Sequence, residues 1–301
     1  MTGVSMRLRI EHVTTYTYAR PVTFHRHRLV IRPREGHDLR VERMHLQLEP
    51  AHHLQWIRDV FGNSIALVDW LEPAQTLRIV NDVVVERTAP FPARTLHQPW
   101  VVPFPPQYDP LETAIVAAYS QPNYADDVPA LQAWLQEMPS TEAQDAEGTI
   151  LQLCRHVFST VKYRRRAEKG VQTPAETLRL ASGSCRDMAT LLMEAARLQG
   201  VAARFASGYL HGRASLAGHA STHAWAEVYL PTLGWRGFDP TIGGITSTQH
   251  IVTGVCTHPR GVMPVSGTFS GAGADYLGFT ASVKTALLAS DDQQAAPDSS
   301  I

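Results

Sequence analysis

Cysteine is scarce in this sequence: Cys154, Cys185 and Cys256 are the only three in 301 residues. They are odd in number and far apart, and none forms a C-x-x-C pair. A disulfide framework or a cysteine-rich zinc site is therefore not expected. An excess of charge is lacking too. Lys and Arg total 27 against 28 for Asp and Glu, which excludes a global field aimed at nucleic acid or an anionic membrane. No segment approaches the ~20 uninterrupted apolar residues of a membrane helix. Residues 1–10 place Arg7 and Arg9 in a short alternating run, without the apolar stretch and cleavage site of a secretory signal. These absences lead us to expect a reducing, cytoplasmic setting with no nucleic-acid and no membrane partner.

What is present reads as globular: 44% of residues are hydrophobic and 18% charged, in a chain long enough for one large domain or two ordinary ones. Up to about residue 88 the pattern is that of strands, around Arg7–Ile10, Thr15–Tyr18, Arg28–Ile31, Val41–Leu48, Trp56–Val60, Ile65–Trp70 and Leu77–Val85. Short polar turns such as Phe61-Gly62-Asn63-Ser64 separate them. An antiparallel β-sandwich is expected there, in a first domain spanning residues 1–100. Prolines then recur between 89 and 110, with Trp100 and Phe104 among them, which predicts an extended connector lying against protein.

Helical spacing follows at Leu111–Ser120, Val128–Met138 and Gly148–Val161, and Thr173-Pro174-Ala175-Glu176 opens another helix as N-cap, N1 proline and acidic first turn. Strands return at Ala203–Leu210, His223–Leu230 and Trp235–Phe238. Residues 111–285 form the second domain in this reading, with C-terminal strands, and 286–301 read as a disordered tail.

The chemistry concentrates in that second domain. After Gly183-Ser184, the apolar stripe Met188, Leu191, Leu192, Ala195, Ala196 and Leu198 predicts a helix ended by Gly200. Cys185 falls in its first turn, where free N–H groups and the helix dipole favour thiolate and can stabilise an oxyanion. A plain core cysteine fits the same motif when it is taken alone.

His223 to Leu230 alternates as a strand and returns through Pro231–Gly234 into Trp235–Asp239. With a five-residue loop, Tyr229 faces Trp235, Trp225 faces Asp239, and His223 becomes a diagonal neighbour of Asp239 on one face. With a four-residue loop the two would lie on opposite faces; the first register is preferred because it pairs two aromatics. Thiol, imidazole and carboxylate then form a nucleophile, a proton shuttle and its orienting group.

Four blocks carry a resemblance: Gly183–Asp187, Gly200–Leu210, His223–Pro231 and Gly234–Thr241. In this order they resemble the motifs of the bacterial transglutaminase-like cysteine protease family. Tyr16-Thr17-Tyr18, Pro21-Val22, Arg32-Pro33-Arg34 and Asp59–Asn63 resemble the β-rich N-terminal domain found ahead of that catalytic core. The resemblance implies an α+β protein: an antiparallel β-sandwich, then a papain-like core with Cys185, His223 and Asp239 as catalytic triad. It implies a thiol hydrolase acting on peptide or isopeptide bonds of a peptide or protein substrate, without cofactor or metal. Transglutaminases proper transfer the acyl group to an amine, which stays open as the alternative, as does a non-catalytic scaffold. A functional link to ATP-grasp-type peptide ligases is implied by the family alone.

Tyr163, Ser184 and Trp225 are the candidate substrate-binding residues. Residues 211–222 match nothing in the family pattern and are expected to frame the cleft. Lys162–Arg166 is expected to be a solvated basic turn rather than an acidic-substrate patch. Asp187 is expected to complement the helix dipole. Of fourteen histidines, only His25/His27 and His211/His219/His223 suggest metal spacing, and no H-E-x-x-H supports either group.

Overall fold

The structure is a computed structural model that describes residues 5–88, 101–138, 145–166, 168–217, 220 and 222–289. Six strands open the chain: β1 (Ser5–Phe24), β2 (His27–Leu29), β3 (Leu39–Glu49), β4 (His52–Arg58), β5 (Ser64–Trp70) and β6 (Ala74–Thr88). The helices α1 (Thr113–Ser120), α2 (Val128–Gln136) and α3 (Ala146–Thr160) follow, then β7 (Lys162–Tyr163), α4 (Pro174–Leu180), β8 (Ser182–Gly183) and α5 (Cys185–Leu198). Beyond these lie β9 (Ala203–Leu210), α6 (Arg213–Leu216), β10 (His223–Leu230), β11 (Gly234–Asp239), β12 (Gly244–Ile245) and β13 (His250–Cys256). The last strands are β14 (Val265–Ser266), β15 (Phe269–Ser270) and β16 (Tyr276–Leu288).

The architecture is α+β, with antiparallel sheets first and a helix-and-sheet core after them. The runs Arg7–Ile10 and Thr15–Tyr18 are one strand, because the apolar alternation passes between them unbroken. Pro21 sits in the stretch where pairing with β6 breaks between Thr17 and Val22, so its missing N–H costs no ladder bond there. One sheet runs β15-β1-β6-β3 with β16 also on β1, and the other runs β14-β2-β5-β4. Tyr18, Phe24, Leu29, Val68, Leu77 and Ile79 close the space between them.

The C-terminal strands differ from the sequence expectation. Placed with residues 111–285 by the reading above, they add to the first domain instead: β16 pairs with β1 from Arg7↔Leu288 to Tyr18↔Tyr276, and β14 pairs with β2. The chain thus returns after the core to cover the N-terminal edge, a pairing no local pattern encodes. Ala286, Leu287 and Leu288 belong to that strand and not to a tail. Trp100 and the connector before residue 101 lie outside the described residues, as does the tail from 290 onward.

The core sheet, β12-β11-β10-β9-β13, carries α5 against β10 and β9. Ala224, Ala226, Val228 and Leu230 face Met188, Leu191, Leu192 and Ala195 in one buried cluster. The two parts are bound by shared burial: Tyr209 and Ile251 of the core sheet lie among Leu8, Ile10, Val83, Val85 and Val283 of the sandwich. Asn63, wholly buried, gives its side-chain amide to Val255 O at 2.8 Å and takes the Val255 N–H at 2.9 Å, so it acts as an extra strand residue between the two. Asp59 holds the loop that presents it, accepting from the Phe61 and Asn63 N–H groups. Among the described residues no helix is long and apolar enough to cross a membrane.

Candidate active site

Cys185 stands where two backbone devices converge. Ser184 is the N-cap of α5, and the Asp187 carboxylate in the first turn reaches back to accept from the Ser184 N–H (2.8 Å) and Oγ (2.7 Å). Asp187 also accepts from the Gln172 N–H at 2.8 Å and from the Arg166 guanidinium at 2.8 Å, and it is wholly buried. The dipole role expected of Asp187 is therefore the smaller part of what it does. It ties the segments of Arg166 and Gln172 to the turn that carries the thiol.

The basic run before it is not a free turn. Lys162 and Tyr163 pair in parallel with Ser182 and Gly183, and the Arg164 N–H bonds Gly183 O at 2.8 Å. This zips Tyr163 alongside the thiol. Its phenol pKa is raised by burial first and then by the Cys185 charge.

The hairpin has the register that brings His223 and Asp239 together: Tyr229 pairs with Trp235, and Ala226 with Phe238. His223 Nε2 lies 2.7 Å from Asp239 Oδ2. Cys185 lines the same cavity as His223, and its side chain is among the groups that raise the His223 pKa. Burial opposes charge on this ring, but Asp239 and Cys185 outweigh it and lift the His223 pKa to about 10. Asp239 is wholly buried, and burial favours its neutral form. The donors around it win, from His223, His250 and Thr241, and hold its carboxyl far below the usual range.

Two of those donors escaped the sequence reading. Thr241 gives its N–H (2.9 Å) and Oγ (2.7 Å) to Asp239 Oδ1 in a local turn, for which Asp-Pro-Thr was the available signal. His250, at the start of β13, places Nε2 3.2 Å from Asp239 Oδ2. Its Nδ1 accepts the Ser247 N–H at 3.1 Å, which leaves the ring proton on Nε2, facing the carboxylate. No spacing in the sequence marks this residue. It reaches the site because β13 pairs with β9 (His250↔Leu210), and close approach is possible because a Cβ on Gly208 would meet Ile251 O at 2.0 Å.

The ligand atoms of His223, Asp239 and His250 lie within 4.8 Å of one another, a grouping that can hold a metal ion. A cation with ligands at ~2.0–2.2 Å keeps them about 3 Å apart. The 2.7 Å contact instead fits a direct hydrogen bond. The other histidines proposed for metal are occupied otherwise: His25 with Ser270, His27 with Trp70, and His211 with Thr285. His219 is outside the described residues.

A cavity of about 450 Å³ opens over the thiol, with Tyr163, Cys185, His223, Thr241 and parts of segment 210–222 in its wall. The other two candidate substrate-binding residues lie elsewhere. Ser184 is buried and its hydroxyl is used by Asp187. Trp225 is 1% exposed and packs behind the site, 5.2 Å from the His250 ring centroid and 6.1 Å from that of His223. It braces the two histidines rather than touching a substrate.

Comparison with known proteins follows the two parts of the fold. Residues 8–86 match the family described as bacterial transglutaminase-like N-terminal region, and residues 132–240 match the transglutaminase-like superfamily. An uncharacterized protein of Mycobacterium tuberculosis H37Rv is 28% identical over 278 residues, 87% of each chain. One from Mycobacterium leprae is 25% identical over 288 residues, covering 90% of this chain and 96% of its own. Among solved structures, the "Putative Cysteine Protease" of Cytophaga hutchinsonii superposes with a TM-score of 0.73 at 16% identity, over 96% of this chain and 92% of that one. At that identity the likeness speaks for the fold.

Proposed function

Because the chain belongs to the transglutaminase-like superfamily and carries the bacterial N-terminal region ahead of the core, we propose that it is a cysteine hydrolase of peptide or isopeptide bonds. One observation supports this reading: Cys185 and His223 line one cavity, and the His223 ring is hydrogen-bonded at 2.7 Å to the buried Asp239 carboxylate.

With its pKa lifted to about 10, His223 is held protonated at neutral pH, and the nucleophile in the reaction is the thiolate form of Cys185. The thiolate sulfur attacks the amide carbon, an S–C bond forms, and the carbonyl π pair moves onto oxygen. The Cys185 N–H in the first turn of α5 is placed to bind that oxyanion. Collapse breaks the C–N bond, and the proton on His223 passes to the leaving nitrogen, giving an acyl-enzyme and a free amine. His223, now neutral, takes a proton from water, whose oxygen attacks the thioester and releases the acid and Cys185. Asp239 fixes the ring and balances its charge throughout. Hydrolysis is favoured over transfer to an amine because Cys185 is partly exposed, and water reaches it without a dedicated acceptor site.

The test combines labelling and turnover. Sub-stoichiometric iodoacetamide should mark Cys185 before Cys154 and Cys256, since both others are buried and burial pushes the Cys154 thiol up to about 12. Cys185→Ala should abolish cleavage of a quenched peptide library while thermal unfolding is retained. Release of acid without incorporation of an added primary amine supports hydrolysis. Equal labelling of the three cysteines, indifferent to His223→Ala, would leave a binding module as the better reading.

A further inference from the structure

The wall of the cavity carries two arginines whose side chains no acidic residue neutralises among the described residues. Arg165 comes from the strip that β7 zips against the thiol turn, and Arg213 opens the short helix α6; both line the cavity with Cys185 and His223. Both are exposed, and among the described residues neither side chain makes a hydrogen bond or ion pair, although the neighbouring Arg166 is committed to Asp187. No Asp or Glu lines the cavity. The sequence stretches that supply most of its wall, 162–166 and 210–217, contain no acidic residue. Asp239 does not compensate, because it lies behind His223 and its charge is matched there. The two guanidinium groups therefore bias the cavity wall toward positive potential.

Guanidinium recognises carboxylate through paired N–H donors on a planar fork. Resting on the cysteine hydrolase reading, we propose that the substrate presents a carboxylate next to the scissile amide, held by Arg165 and Arg213. The carboxylate belongs either to an acidic side chain or to a chain terminus. The cavity, not the sequence run Lys162–Arg166, defines this specificity: Arg166 is paired with Asp187, and Arg165 is the cation of the run that lines the cavity beside Tyr163.

Two alkylating probes of nearly equal size read the charge at the thiol without a known substrate. With each, the sulfur displaces iodide and an S–CH2 bond forms; iodoacetate carries a carboxylate and iodoacetamide does not. The rate ratio of iodoacetate to iodoacetamide at Cys185 should exceed that for neutral N-acetylcysteinamide by roughly fivefold at low salt, the scale of two solvent-exposed ion pairs. It should fall toward the free-thiol ratio in the double variant Arg165→Gln, Arg213→Gln. Salt at about 0.5 M should lower it in the unaltered protein, which gives a reading even if the variant does not fold.

A ratio equal to that of the free thiol, or one unmoved by both the variant and salt, overturns the proposal. Failure of either reagent to label Cys185 instead sinks the hydrolase reading on which it rests. Protection against iodoacetate by N-acetylglutamate α-amide assigns an acidic side chain, and protection by N-acetylglutamine assigns a terminus. Equal protection by uncharged N-acetylglutaminamide, or none by either acid, overturns it.

Discussion

Replacing His250 by alanine removes one of four donors that hold the Asp239 carboxylate. The other three are His223 Nε2 at 2.7 Å and the Thr241 N–H and Oγ at 2.9 and 2.7 Å, while His250 sits at 3.2 Å. A hydrogen bond to a charged group contributes about 1.5–3 kcal/mol. The longer contact and the surviving donors put this one at the low end, ~1.5 kcal/mol, or a factor of about ten in rate if the orientation of His223 depends on it fully. His250 does not touch the cavity, so it acts through Asp239 as a positioning residue.

The assay is kcat/KM on a cleaved peptide across pH, for His250→Ala and His250→Gln. The alanine variant should lose roughly three- to tenfold, mostly in kcat, with the acid limb moved to higher pH because a carboxylate with fewer donors protonates sooner. The glutamine variant retains an N–H donor and should recover most of the loss. If alanine and glutamine were equally impaired, packing against Trp225 would be the whole role, and the hydrogen-bond argument would fail. If neither were impaired, Asp239 would need no help from His250 at all.

Two further outcomes follow from the buried charges. The folded His223 pKa of about 10 lies above the ordinary histidine value of 6.5, so the stability it contributes is fully present below pH 6.5 and is lost as pH rises toward 10. Urea unfolding should show a decline over that window of about 2–4 kcal/mol, shared with Asp239 and Cys185, and His223→Gln should flatten it; an unchanged slope in the variant would contradict the assignment. Asp187→Ala strips a wholly buried carboxylate from Arg166, Ser184 and the Gln172 N–H, and should cost about 3–5 kcal/mol, seen as a lower urea midpoint at unchanged m-value. A loss under ~1 kcal/mol would mean that solvent replaces those contacts freely.

Local chemistry determined much of this protein in advance. Alternation made strands of Val41–Leu48 and Ile65–Trp70, a 3.6-residue stripe made the helix behind Cys185, and Thr173-Pro174 set the start of α4, because each signal lies within a few residues of its effect. The hairpin register followed as well, since a tight turn and one aromatic pair fix which face His223 and Asp239 share. Tertiary structure alone decided what depends on distant segments. It sent residues 265–288 back onto the N-terminal sheets, buried Ser184 and Trp225 outside the cavity wall, and brought His250 to Asp239 through a strand paired on the far edge of the sheet. A strand's partner is chosen by whichever edge and apolar face remain uncovered when the rest has packed, and that competition is settled by the whole chain at once.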